Sequence, residues 1–118
     1  MAANDTLRMI ALTLRSLGFA SVGGTMTAVG AAAGDAVRLI NITNLTNQHL
    51  IGSLYGTRDE FILPSGSGML LDVCTNKTNV AAGFYLNAAT RIHVRHTGVA
   101  PISGDVYVTY WVGANNNE

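Results

Sequence analysis

The 118-residue chain predicts an all-β fold: a single β-sandwich or jelly-roll-like domain of about seven to nine antiparallel strands behind an extended N-terminal segment. Three observations carry that expectation. Between Val37 and Val112, short runs rich in β-branched, aromatic and leucine side chains recur along the chain. Each run is bounded by Gly, Asn, Pro, Ser or Thr, residues that close turns. In the clearest runs hydrophobicity alternates with period two, so successive side chains address opposite faces of a sheet.

Residues 1–35 form an N-terminal segment dominated by Ala, Gly, Thr and Leu. Leu7, Ile10, Ala11, Leu14 and Leu17 fall at helical spacing. The stretch Leu12–Val22 reads nearly as well as a strand, bent at Gly23–Gly24 and resumed over Thr25–Val29. The extended reading is preferred. A weakly charged extended segment can satisfy its backbone by pairing with a neighbouring subunit.

Residues 36–112 carry the sandwich core, with strands expected at Val37–Thr43, His49–Tyr55, Glu60–Leu63, Gly68–Cys74, Thr90–Arg95 and Asp105–Val112. The turns between them are chemically specific. Asn44–Gln48 is full of side chains that bond their own backbone, and Gly56–Asp59 offers a glycine for positive φ. Pro64–Gly68 ends a strand because proline donates nothing to a ladder. Thr75–Asn79, Asn87–Thr90 and Pro101–Gly104 complete the set. Residues 113–118 are a polar tail.

Alternation assigns faces. Ile92 and Val94 point one way, and Arg91, His93 and Arg95 the other. In the last strand Val106, Val108, Tyr110 and Val112 make one face, and Tyr107, Thr109 and Trp111 make the other. Aromatics on an outward face call for a cover: the N-terminal segment or another subunit.

Charged residues are 12% of the chain against about 25% in ordinary soluble domains. The formal net charge is zero. So little charge gives a free monomer weak protection against self-association and suits a protomer in an assembly. There is no basic patch for nucleic acid and no polybasic membrane anchor. No window reaches the ~18 apolar residues of a membrane span, and Arg8 and Arg15 interrupt the apolar N-terminal run where a signal peptide would be uninterrupted. The single cysteine, Cys74, excludes an internal disulfide and reads as a small buried hydrophobe. The Asn-X-Thr triplets at Asn41, Asn44 and Asn76 are taken as turn and edge chemistry.

Catalytic and metal chemistry finds little support. His93 and His96, three apart on a strand, face opposite ways, and His49 is remote in sequence. Asp59 and Glu60 read as a solvated acidic tip, with Arg58 a surface ion-pair partner. No Gly-X-Ser-X-Gly elbow accompanies the serines, and Gly66–Gly68 precedes no helix that could cradle a phosphate. The expectation is a non-enzymatic protein with no cofactor and no metal.

The order Asn41–Asn44, Leu50–Gly68, Leu71–Lys77, Ala89–Val94 and Pro101–Val108 resembles small virion structural proteins of tailed bacteriophages over roughly residues 38–110. In that family a turn bearing an acidic residue precedes a Phe-X-Leu-Pro strand, here Phe61–Pro64, and a Ser-Gly-X-Val-Tyr-Val strand closes the fold, here Ser103–Val108. This chain departs at Tyr55-Gly56-Thr57, where an acidic residue is expected before the glycine. The resemblance implies a virion component without catalytic activity: a capsid decoration (cement) protein bound to the major capsid protein and to copies of itself, such as a trimer, or else a neck, collar or tail ring. The interface residues expected are Leu7, Ile10, Leu12, Leu14 and Phe19 of the N-terminal segment, with Tyr107 and Trp111. A reading from another class is a carbohydrate-binding sandwich that stacks sugars on Tyr55, Tyr85 and Trp111.

Overall fold

Nested pairing organises the chain. In the computed structural model, which describes residues 7–72 and 86–115, the strands are β1 (Leu7–Ala11), β2 (Arg15–Gly18), β3 (Thr27–Ala28), β4 (Val37–Asn44), β5 (Leu50–Ser53), β6 (Phe61–Leu63), β7 (Ser67–Asp72), β8 (His93–His96) and β9 (Asp105–Asn115). From the middle outwards, β5 pairs with β6, β4 with β7, β3 with β8, and β1 and β2 both with β9, every pair antiparallel. Such a pattern is one long hairpin. Rolling it adds the cross-pairs β4–β9 and β5–β8 and splits it into two sheets. Sheet A has the order β1-β9-β4-β7 with β2 beside β9, and sheet B has the order β3-β8-β5-β6. This is the jelly-roll form of the sandwich that the strand rhythm predicts.

The alternation fixes which faces meet. Val106, Val108, Tyr110 and Val112 of β9 and Ile40 and Ile42 of β4 are buried, and they face Leu50, Leu63, Ile92 and Val94 from the other sheet. Tyr110 bolts the two layers together: its hydroxyl accepts the Ile92 N–H at 2.8 Å from inside the core. Burying a tyrosine is costly unless its oxygen finds such a partner. The Arg15 guanidinium lies 5.1 Å from the Tyr110 ring centroid and donates to the carbonyls of Thr13, Ala31 and Ala32. It thereby ties the β3–β4 connection to β2.

The N-terminal segment is extended, but its ladder runs along the chain's own β9, where pairing with a neighbouring chain was expected. Leu12 N–H donates to the Tyr110 carbonyl at 2.8 Å and Phe19 N–H to the Gly104 carbonyl at 3.0 Å. The physical reason is that β9 is eleven residues long, and β4 covers only one of its edges. Ala11 stands opposite Trp111 and Arg15 opposite Val108, so the N-terminal side carries one extra residue between them. The result is a β-bulge at Thr13–Leu14, and it turns Leu14 out to 57% exposure. Beyond β2, Val22, Val29 and Ala33 enter the core as the segment crosses to sheet B. A truncation before residue 17 therefore removes β1 and half of β2, and the rest of the sandwich would not be left intact.

Candidate functional site

Strand direction divides the sandwich into two unlike ends. At one end lie the turns after β2, β4, β6 and β8, residues 19–26, 45–49, 64–66 and 97–104. Hydrogen bonds stitch these turns into one surface. Ile102 N–H donates to Asn47 Oδ1 (2.8 Å), His96 N–H to the Gly23 carbonyl (2.9 Å), and Ser65 Oγ to the Thr46 carbonyl (2.6 Å). Gly104 approaches so closely, at φ +86°, that a Cβ there would run into the Leu45 carbonyl oxygen.

Beneath this end lies a fully buried polar knot. The Asn44 amide donates to the carbonyls of Leu63 (2.8 Å) and Gln48 (3.0 Å), and its oxygen accepts the Thr46 N–H and hydroxyl. With each of these atoms satisfied, the knot costs little and holds the β4–β5 turn in one shape.

None of the four turns contains Asp, Glu, Lys or Arg. Instead they display Ile102 at 75% exposure, Val99 at 61% and Leu45 at 52%, with Phe19 beside them on a single 3-10 turn, Phe19–Ser21. Several exposed aliphatic groups on a charge-free surface are what a partner surface covers.

The outer face of sheet A mixes apolar and acidic side chains. Asp72, Leu39, Trp111 and Ala11 stand in one cross-strand row, Leu70 stands on the next row and Tyr107 on the row after it. Trp111 and Tyr107 are half-buried against their strand neighbours, and the Tyr107 hydroxyl donates to Asp105 (3.1 Å). The adjacent carboxylate raises the Tyr107 phenol above its ordinary value.

Charge collects elsewhere. Arg8, Asp35, Arg38, Arg58, Asp59, Glu60 and Arg91 lie towards the opposite end or in the β5–β6 loop, which folds back over sheet B. The carboxylates of that loop sit on exposed residues, as the sequence suggests, and they also act as tethers. Glu60 accepts the Leu54 N–H (2.7 Å) and the Ser53 hydroxyl (3.2 Å) and pairs with Arg58, while Asp59 takes the Arg95 guanidinium through both oxygens. Those contacts hold both carboxyls below their ordinary values: chiefly the Arg95 hydrogen bond for Asp59, and the Leu54 N–H for Glu60.

Two of the grooves on the surface are lined by described residues. One of about 490 Å³ lies between the β5–β6 loop and β7, floored by Phe61, Met69 and Leu71. The other, about 420 Å³, sits at the bulge beside Leu12, Leu14 and Ala31. Neither holds a nucleophile beside a base. Among the described residues no group of three His, Cys, Asp or Glu side chains converges on a metal position, and no helix is long and apolar enough to cross a membrane.

The interface residues expected from sequence do not converge. Ile10 and Leu12 turn towards the core side of sheet A, with Leu12 packed against the core. Leu14 stands on the bulge, Phe19 is at the charge-free end, and Tyr107 and Trp111 lie on the outer face of sheet A. The Leu7 backbone pairs with Asn115. Tyr55 and Trp111 belong to different sides of the molecule, and the Tyr55 hydroxyl is engaged with Thr90 (3.2 Å), so these two aromatics form no common sugar platform. Cys74, Asn76, Lys77 and Tyr85 lie outside the described residues. Sequence reasoning missed Leu45, Val99 and Ile102, whose signal was an apolar residue inside a turn.

No family model and no curated protein sequence matches the chain. Among solved structures, a chain of the Bacillus endospore appendages, described as a family of disulfide-linked pili, is similar at 12% identity, over 92% of this chain and 90% of that one, with a TM-score of 0.45. A likeness at that score carries no argument from that protein to this one.

Proposed function

We propose that this chain is a non-catalytic structural subunit that works by covering its charge-free surfaces with partners. The observation that carries the reading is the end of the sandwich where Leu45, Val99 and Ile102 are more than half exposed with no charged residue among the four turns. Burying such side chains is worth roughly 1.5–3 kcal/mol each, and no charged group has to be desolvated with them. The resemblance to small virion proteins gives the finer form of the proposal: a bacteriophage capsid decoration protein, its charge-free end seated on the major capsid protein. The low overall charge and the jelly-roll frame suit that role.

A substitution tests the surface. Ile102→Asp places a charge at the most exposed position without touching the core, so it should leave the melting temperature nearly unchanged while lowering occupancy on the particle. A folded variant with wild-type occupancy on its particle contradicts the assignment. Copy number in purified particles tests the finer form: on the order of hundreds for a shell decoration, and about a dozen for a neck or tail ring.

A further inference from the structure

The two sheets end differently. Sheet B finishes in β3, two residues long, and β6, three residues long. Short edge strands are a common device against unwanted pairing. Sheet A finishes in the six-residue β7 on one side and in β1 with β2 on the other. The register shows which backbone groups these edges present. Leu45 N–H donates to the Asp105 carbonyl and Gly66 N–H to the Asn44 carbonyl, so odd residues of β4 bond β9 and even ones bond β7. In β7 the groups of Met69 and Leu71 are thereby used inward, and those of Gly68 and Leu70 point outward. In β1 the groups of Ile10, like those of Leu12 beyond it, go to β9, so those of Met9 and Ala11 point outward. Among the described residues no strand meets either row.

From this we infer that copies of the chain join edge to edge, β7 of one against the β1–β2 edge of the next, continuing sheet A from subunit to subunit. The inference rests on the structural-subunit reading and names the contact. Strand polarity identifies the occupant as a second copy. The four positions of sheet A alternate in direction, so its two edges run oppositely. A copy displaced along the sheet therefore brings β1 antiparallel to β7, and the same step repeats. Partial charges match across the joint, with rows of N–H and C=O on both sides. β7 contains no lysine or proline, its one charged residue is the terminal Asp72, and Leu70 is 62% exposed beside the open row. On the facing edge the Arg15 side chain turns away to the carbonyls of Ala31 and Ala32, and the bulge at Thr13–Leu14 separates the open row of β1 from that of β2. A joint made from two different edges is heterologous and gives rings or open arrays.

Proline at an outward position removes the donor without touching the inner ladder. Leu70→Pro disables only the β7 edge, and Met9→Pro only the β1 edge. Each variant alone should run in light scattering as a 12.4 kDa monomer. An equimolar mixture should give a dimer of twice that mass, because one intact edge of each kind remains, and that rescue proves both variants folded. Leu70→Lys should behave as Leu70→Pro does, whereas Ile62→Lys, an equally exposed change on sheet B, should assemble as wild type does. Full-size assemblies from folded Leu70→Pro and Leu70→Lys overturn the joint and leave the structural-subunit reading standing. So does a Met9→Pro protein that dimerises by itself, since that contact is β7 against β7. A monomeric wild type overturns the joint alone, since the structural-subunit reading is tested by Ile102→Asp occupancy on the particle.

Discussion

A phenolic oxygen and a missing Cβ decide more of this fold than any charged group does. Tyr110 accepts the Ile92 N–H inside the core, so Tyr110→Phe leaves a buried donor unpaired and should cost about 1–3 kcal/mol in a denaturant titration. Gly104 holds φ +86° against the Leu45 carbonyl, a place with no room for a side chain. Gly104→Ala should cost about 2 kcal/mol or more from strain and displacement of the β4–β5 turn. The same substitution at Gly66, also at positive φ but with nothing nearby, should cost less. Equal losses for the two variants would contradict the close approach. Asp59 and Glu60 set the acid side. Contacts lower both carboxyls in the folded state, so their contribution is present above the ordinary carboxylate values near 4 and fades as pH falls through the lowered values. Glu60→Gln should flatten the fall of stability with pH below about 4. An unchanged acid slope would mean that the Ser53 and Leu54 contacts do not hold in solution.

At the scale of elements, the strands from β4 onwards were legible in the sequence because each buries one face. Alternation in Arg91–Arg95 and Val106–Val112 matches the buried and exposed positions of β8 and β9 and their flanks. Pairing was less legible. Period two says which side chains share a face but not which strand lies beside which, and the nested order follows only from rolling the whole hairpin. The bulge at Thr13–Leu14 was hidden for a related reason: one extra residue opposite Thr109 flips Leu14 outward without any glycine or proline to announce it. Ile102 and Val99 were hidden inside stretches that read as turns. Since β1 and β2 complete the ladder of β9, deleting residues 1–18 exposes one whole edge of that strand. The truncated chain should lose its cooperative melt, read by circular dichroism. A truncated protein that melts as wild type does would show that β9 needs no partner on that side.

For the whole molecule, the partition of charge is the property with functional weight. The turns of one end carry no charged residue, whereas among the described residues the ion pairs Arg58–Glu60 and Asp59–Arg95 gather on the loop over sheet B. A protein so divided has surfaces that water solvates poorly, and contacts between copies relieve them. The most direct measurement is the solution mass of the purified wild-type chain by light scattering across a concentration series. Masses that rise to multiples of 12.4 kDa, and fall back when Leu70 is changed, are the expected result. A constant monomer mass at the highest concentrations would contradict assembly through these surfaces.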